Sequence, residues 1–167
     1  MDDAAFILGL MKTETAALGF IPSTAIRERW IRLGRYIIQR SSRGRPRGYI
    51  LHGPPLFGRP LFINQACIDY DHRLRGFGIL AVEQLITRAL VAGSTYIKLR
   101  CAMDLPANAF WHAAGFHVTG YQPGGNQRHR TIVSYQLDMP DVVTRLKVAC
   151  SPRLCPRPAS ERKCSAD

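Results

Sequence analysis

The sequence predicts an α/β fold of the α+β kind, a mixed and mostly antiparallel central sheet flanked by helices. Three observations predict it. Two helix-like stretches precede three strand-like runs joined by Gly- and Pro-containing turns, the pattern of a meander. One long amphipathic segment, "ILAVEQLITRALVAG", then crosses to the next strand-like run. Two further strand-like runs close the pattern around the loop "QPGGNQRHR".

In chain order, residues 4–18 place Ala, Leu and Met on one helical face. "GFIPST" breaks that helix, and Ser23 or Thr24 is placed to cap a second one through "AIRERWIRLGR". "RYIIQ", the Arg-, Gly- and Pro-dense turn "SSRGRPRG" and "YILHG" read as a hairpin over residues 35–53. "PPLFGRP" is a second turn and "LFINQACI" a buried strand. Ile79, Val82, Leu85, Ile86, Ala89 and Leu90 then recur at helical spacing until Gly93 stops the helix. "TYIKLRCA" is the next strand, and "LPANAFWHAA" a short helix with Pro106 near its first turn. "GFHVTGY" and "TIVSYQLDM" form the closing antiparallel pair. The pattern predicts one domain over residues 1–139 and a basic, Pro- and Cys-containing disordered tail over 140–167.

A chain of 167 residues with 46% hydrophobic content builds one domain with a real core. Its longest apolar runs fall well short of the ~20 residues of a membrane span. "AAFILGLM" follows Asp2 and Asp3 and lacks a basic leader, so it is a poor signal peptide and a cytoplasmic protein is expected. The formal charge of +11 favours polyanionic partners and counts against polycationic substrates such as polyamines. The five cysteines are odd in number, which argues against a disulfide framework. Cys67 and Cys101 sit in strand-like runs as small core residues; Cys150, Cys155 and Cys164 are spread through the tail without metal-ligand spacing, and no metal is expected.

The most informative stretch is "RLRGFG", residues 73–78, between a strand and a helix. A turn that opens a helix offers unpaired backbone N–H groups and the positive end of the helix dipole. Gly76 and Gly78 remove the β-carbons that would hold a ligand off, and Arg73 and Arg75 add charge. The physics fits a phosphate or pyrophosphate site. A rival is the dinucleotide fingerprint, since "GFGILA" over residues 76–81 also matches Gly-x-Gly-x-x-Ala and would make the chain a nucleotide-dependent oxidoreductase. Against it, the charged stretch "DYDHRLR" separates the strand from the first glycine, and the chain offers hairpins in place of repeated βαβ units.

A second stretch, "DLPANAFWHAAGF" over residues 104–116, decides between them. Together the two stretches resemble the GNAT superfamily of N-acetyltransferases over roughly residues 20–139. Arg73, Gly76 and Gly78 match that family's Arg/Gln-x-x-Gly-x-Gly/Ala motif, and Ala107, Phe110, Gly115 and Phe116 match its second motif. The resemblance implies a GNAT-like sheet and an acyl-CoA-dependent N-acyltransferase that uses acetyl-CoA as acyl donor. It places the backbone of Arg73, Leu74, Arg75, Gly76, Phe77, Gly78 and Ile79 on the pyrophosphate. It pairs the strand end at Cys67 and Ile68 with the pantetheine arm, with Phe110 and Trp111 beside it. It also implies direct attack by an amine on the thioester, and edge strands of the kind that pair in homodimers.

The sequence departs from the family at two places. Asp104 stands where Asn is usual, and Trp111 where a Tyr often serves as general acid. An indole is a poor acid, so Trp111 packs on pantetheine or core, and the acid is left among His112, Tyr121, water or none. For the base, Asp104 ends a strand near the inferred thioester, and its alternative is a helix N-cap. Gln65 or Asn64 can orient the amine, while His52, His72 and His129 read as surface histidines. Basic clusters at Arg27–Arg35, Arg43–Arg47 and Arg128, His129 and Arg130 suggest acceptor or nucleic-acid contact if they share a face with the cleft. The acceptor amine stays open, and a non-catalytic nucleic-acid module on the same scaffold is the alternative.

Overall fold

The computed structural model describes residues 2–15, 17–18, 21–125 and 130–139, with the side chains of residues 27 and 28 outside the description. The element order is α1 (Asp3–Thr13), a π-helical turn (Ala25–Trp30), β1 (Tyr36–Arg40), β2 (Pro46–His52), β3 (Leu61–Ile68), a 3-10 turn (Tyr70–His72), α2 (Phe77–Val91), β4 (Tyr96–Ala102), α3 (Ala107–Ala113), β5 (His117–Pro123) and β6 (Thr131–Asp138). The strands form one sheet in the order β1-β2-β3-β4-β6-β5. β3 and β4 are parallel, and the other neighbours are antiparallel. The expected mixed, mostly antiparallel sheet flanked by helices is therefore what forms. A dinucleotide fold needs successive parallel crossovers, and with one parallel pair that reading of "GFGILA" is set aside. No helix among the described residues is long and apolar enough to cross a membrane.

Helices cover both faces of the sheet. Ala4, Phe6, Ile7 and Leu10 of α1, with Ile26, pack on Tyr36, Tyr49, Leu51 and Cys67. On the other face Ala81, Val82, Leu85 and Ala89 of α2 meet Ile37, Ile50, Ile97 and Leu99, and α3 adds Trp111. Each fully buried aliphatic or aromatic side chain contributes about 1.5–3 kcal/mol. Helix α2 stops where Gly93 takes φ +67° and Ser94 N–H returns to the Ala89 carbonyl at 2.9 Å.

Two helical expectations are corrected. Helix α1 ends at Thr13 and does not run to residue 18; the Thr13 hydroxyl bonds back to the Leu10 carbonyl and the Glu14 carboxylate is drawn to Arg73. The second helix is a π turn in which Ile31 N–H reaches back to Ile26, and Thr24 lies inside the helical region with no side-chain capping bond.

A bulge in β3 sets the site. Leu51 pairs with Gln65, but the next residue, His52, pairs with Ile63, so Asn64 is an extra residue. The insertion reverses the alternation of faces. Leu61 and Ile63 join the α2 core, whereas Cys67 joins the α1 core.

Candidate active site

The β3–β4 pairing is short. It joins Leu61 to Ile97, Phe62 to Lys98 and Ile63 to Leu99, and then stops at the bulge. Beyond it the strands diverge and leave a cleft of about 120 Å³, lined in part by Ile63, Asn64, Gln65, Arg100, Cys101 and Trp111. The Asp69 N–H donates to Arg47 of β2. Backbone direction alternates along a strand, so Cys67 and Gln65 face β2, and Ala66 and Ile68 turn their N–H and C=O toward the gap. Of the strand-end pair predicted to meet pantetheine, Ile68 therefore faces the gap. Cys67 does not: its backbone serves β2 and its thiol is buried.

In the turn after β3 the amide row expected to face an anion starts one residue late, because the Arg73 N–H donates to the Tyr70 carbonyl at 3.2 Å. Leu74 and Gly76 both take positive φ, +59° and +83°, which curls the chain at the N-terminus of α2. The amides from Leu74 to Ile79 donate no hydrogen bond among the described residues; the first return bond is from Leu80 to the Gly76 carbonyl at 3.1 Å. Leu74 and Arg75 are exposed, and Phe77 is half-buried with an edge contact to the His72 ring. Gly76 is there for its conformation, since a β-carbon would meet nothing within 4 Å. Gly78 is there for space, because a β-carbon would come within 2.9 Å of the Phe110 ring.

Arg73 is not a free phosphate ligand. Its guanidinium pairs with Glu14 at the end of α1, donates to the Ile68 carbonyl at 3.1 Å and lies 5.1 Å from the Tyr70 ring. It ties the turn to α1 and to the strand end, so its part is to hold the loop.

Trp111 is buried, edge-on to Phe110 and Phe116, so the indole belongs to the core as well as to the cleft wall. Gln65 is buried at the cleft, and its Oε1 accepts a hydrogen bond from the Tyr49 hydroxyl at 3.2 Å. Asp104 is exposed and ion-paired with Arg130 at 3.2 Å, beside an open depression shared with Met103 and Thr131. It caps no helix: the N-cap position of α3 is Pro106, without a side-chain bond. Asn108 instead clamps that turn, its Nδ2 reaching the carbonyls of Ala102, Met103 and Leu105 at 2.7–3.1 Å. Tyr135 on β6 orients the amide by donating to Asn108 Oδ1 at 2.9 Å, with His112 Nε2 3.3 Å from the same hydroxyl. Sequence reading missed this support, whose members lie on two elements that pair only in three dimensions.

The reading of His52 is also corrected, for it is buried and not a surface residue. Arg88 contacts Nε2 at 2.8 Å and can only donate, so Nδ1 carries the hydrogen and donates to the Gly53 carbonyl at 2.7 Å. Burial first, then Arg88 and Arg35, hold its pKa below the usual histidine value, while the Gly53 bond acts against them. It is a neutral structural joint between β2 and α2. His72 pairs with Asp69 at 2.9 Å. Burial pushes the Cys67 thiol up to about 11, and burial and then Asp104 raise Cys101, so both remain thiols at neutral pH. Arg128 and His129 lie outside the described residues.

No protein-family model and no curated protein sequence matches the chain. Solved structures do. The fold is similar to that of a GNAT-family structure from Desulfovibrio desulfuricans, with TM-score 0.66, 13% identity and coverage of 82% of this chain and 92% of that one. This chain has the GNAT fold. The spermidine/spermine N-acetyltransferase SpeG from Vibrio cholerae superposes with TM-score 0.71 at 14% identity, over 86% of this chain and 92% of that one. The yncA protein from Salmonella typhimurium, solved with its cofactor acetyl-CoA, does so with TM-score 0.66 at 20% identity, over 82% and 88%. At such identities the likeness is one of fold.

Proposed function

We propose that the chain is an acyl-CoA-dependent N-acyltransferase that moves acetyl from acetyl-CoA directly to an amine. The observation that carries this reading is the open amide row from Leu74 to Ile79 beside the β3–β4 cleft. The amides and the α2 dipole suit a pyrophosphate. The gap-facing edge of Ala66 and Ile68 suits an extended arm bearing amides, added as a strand is added to a sheet edge. The arm would deliver its thioester to the bulge, where a strand amide can polarise the carbonyl. That the yncA structure holds acetyl-CoA supports the donor.

In the transfer, the amine lone pair attacks the thioester carbonyl, the C–N bond forms and the C–S bond breaks. The nitrogen loses one proton and the thiolate gains one. Among the described residues no carboxylate or histidine lines the cleft, so water carries the proton away. Gln65 can orient but cannot accept a proton at neutral pH, and the Asp104–Arg130 pair lines a separate depression. The protonated state of Cys67 and Cys101 disfavours an acyl-cysteine intermediate.

A second reading, a nucleic-acid module, draws on one observation. The β1–β2 turn with Arg43 and Arg45, the Leu74–Ile79 loop and Arg130 all lie at the same end of the sheet. Calorimetry separates the two. Acetyl-CoA should bind and NADH should not, and Arg75→Glu, which changes an exposed side chain in the loop, should weaken acetyl-CoA at least tenfold. Salt-dependent oligonucleotide binding without acetyl-CoA binding would favour the second reading.

A further inference from the structure

The cleft runs through the sheet, and its two mouths differ. On the α2 and α3 side it opens among Leu105, Ala107 and Trp111, the side on which the Leu74–Ile79 loop begins helix α2. On the α1 side it is bordered by Ala17, Leu18, Asn64 and Arg100. A donor held by the loop occupies the first mouth, so an acceptor enters by the second.

Arg100 is the single charged residue among the described lining of the cleft. It is exposed, and alternation along β4 sets its side chain opposite Leu99 and Cys101, which face the core. It makes no ion pair or side-chain hydrogen bond among the described residues. Glu14, whose backbone carbonyl accepts from Ala17 and Leu18 at this mouth, is paired with Arg73; Asp104 is paired with Arg130, and Asp138 accepts from Gln136 and faces His117. Such a guanidinium at the mouth repels a simple protonated amine, and no carboxylate among the described lining offsets it. The same cation would hold an oxyanion through charge-assisted, fork-shaped hydrogen bonds. It would also favour the neutral form of an amine lodged next to it, which matters in a cleft with no base among its described lining.

We infer that the acceptor is an amine that carries an oxyanion, a carboxylate or a phosphate, gripped by Arg100 as the amine enters from the α1 side. The inference rests on the acyltransferase reading and names its substrate class; the polyamines in SpeG's name are the opposite chemistry. The test uses the protein saturated with acetyl-CoA, which occupies the loop. Inorganic phosphate, acetate and spermidine are titrated in turn, and the Arg100 Nε–H resonance, with the backbone amides of Asn64, Gln65 and Ala66 as reporters in the Arg100 variants, is followed by NMR. One or both anions should shift it saturably, acetate pointing to a carboxylate acceptor and phosphate to a phosphorylated one. Arg100→Gln should weaken that anion at least fivefold, Arg100→Lys by less, and the remote Arg32→Gln not at all. The inference is overturned if neither anion moves Arg100, if Arg32→Gln weakens binding equally, or if spermidine saturates the site. Failure of acetyl-CoA itself to bind in the loading step would instead sink the acyltransferase reading.

Discussion

Gly78 at the start of α2 and Phe110 on α3 lie in contact, so that a β-carbon on the glycine would sit 2.9 and 3.1 Å from two ring carbons. The second glycine of the loop thus packs helix against helix and also leaves the loop open. Gly78→Ala should therefore destabilise by about 1–3 kcal/mol through overpacking. Phe110→Leu, which removes the ring, should restore part of that loss in the double variant, as urea unfolding would show. Equal losses with and without the ring would contradict the contact.

Arg73 and Glu14 join the loop to the end of α1. The pair is partly exposed, so Arg73→Gln and Glu14→Gln should each lose only about 0.2–1 kcal/mol of stability. Both should nonetheless weaken acetyl-CoA, Arg73→Gln the more, because it also gives up the bond to the Ile68 carbonyl. If Arg73→Gln abolished binding and Glu14→Gln left it unchanged, Arg73 would be a direct ligand. The double variant should be no worse than Arg73→Gln alone.

The buried His52 gives a pH dependence of stability. Its folded pKa is depressed, so the unfolded chain binds the extra proton first as pH falls. The stability is full above the unfolded value of about 6.5 and is lost as pH drops through the folded value. Thermal melts between pH 7.5 and 5 should show a falling Tm, and His52→Gln should flatten that fall. A Tm that rises on acidification would refute the neutral, Arg88-bonded histidine.

Direct transfer is checked at the thiols. Cys101→Ala and Cys67→Ala should retain turnover within about threefold, and intact mass measurement during turnover should show no acetylated protein. With no base among the described residues that line the cleft, kcat/KM should climb with pH along the ionisation of the amine itself. A plateau near pH 6–7 would show a catalytic base on the protein.

Much of the fold was legible because it is written locally. The strand over Leu61–Ile68, the helix through Val82 and Leu85 and the glycine turn between them follow from period and turn chemistry within short windows. The role of Arg73 was not legible, because its partner Glu14 lies 59 positions away. Asn108 read as one more helical residue, and its clamp shows only when Tyr135, 27 positions on, comes over α3. The Asn64 bulge is a property of two paired strands. "FINQAC" on its own cannot tell which residue is extra, and so left open whether Asn64 or Gln65 faces the core. His52 looked like a strand-end surface histidine because its burial depends on Arg88 crossing from α2.

The central claim is that the amides from Leu74 to Ile79 hold the phosphates of an acyl-CoA. The most direct measurement is the amide 1H–15N spectrum of the protein with and without saturating acetyl-CoA. The claim requires large downfield shifts concentrated on Leu74–Ile79, with smaller ones on Ala66 and Ile68 at the gap. An unmoved loop in a folded sample, or shifts confined to the basic β1–β2 turn, would contradict it.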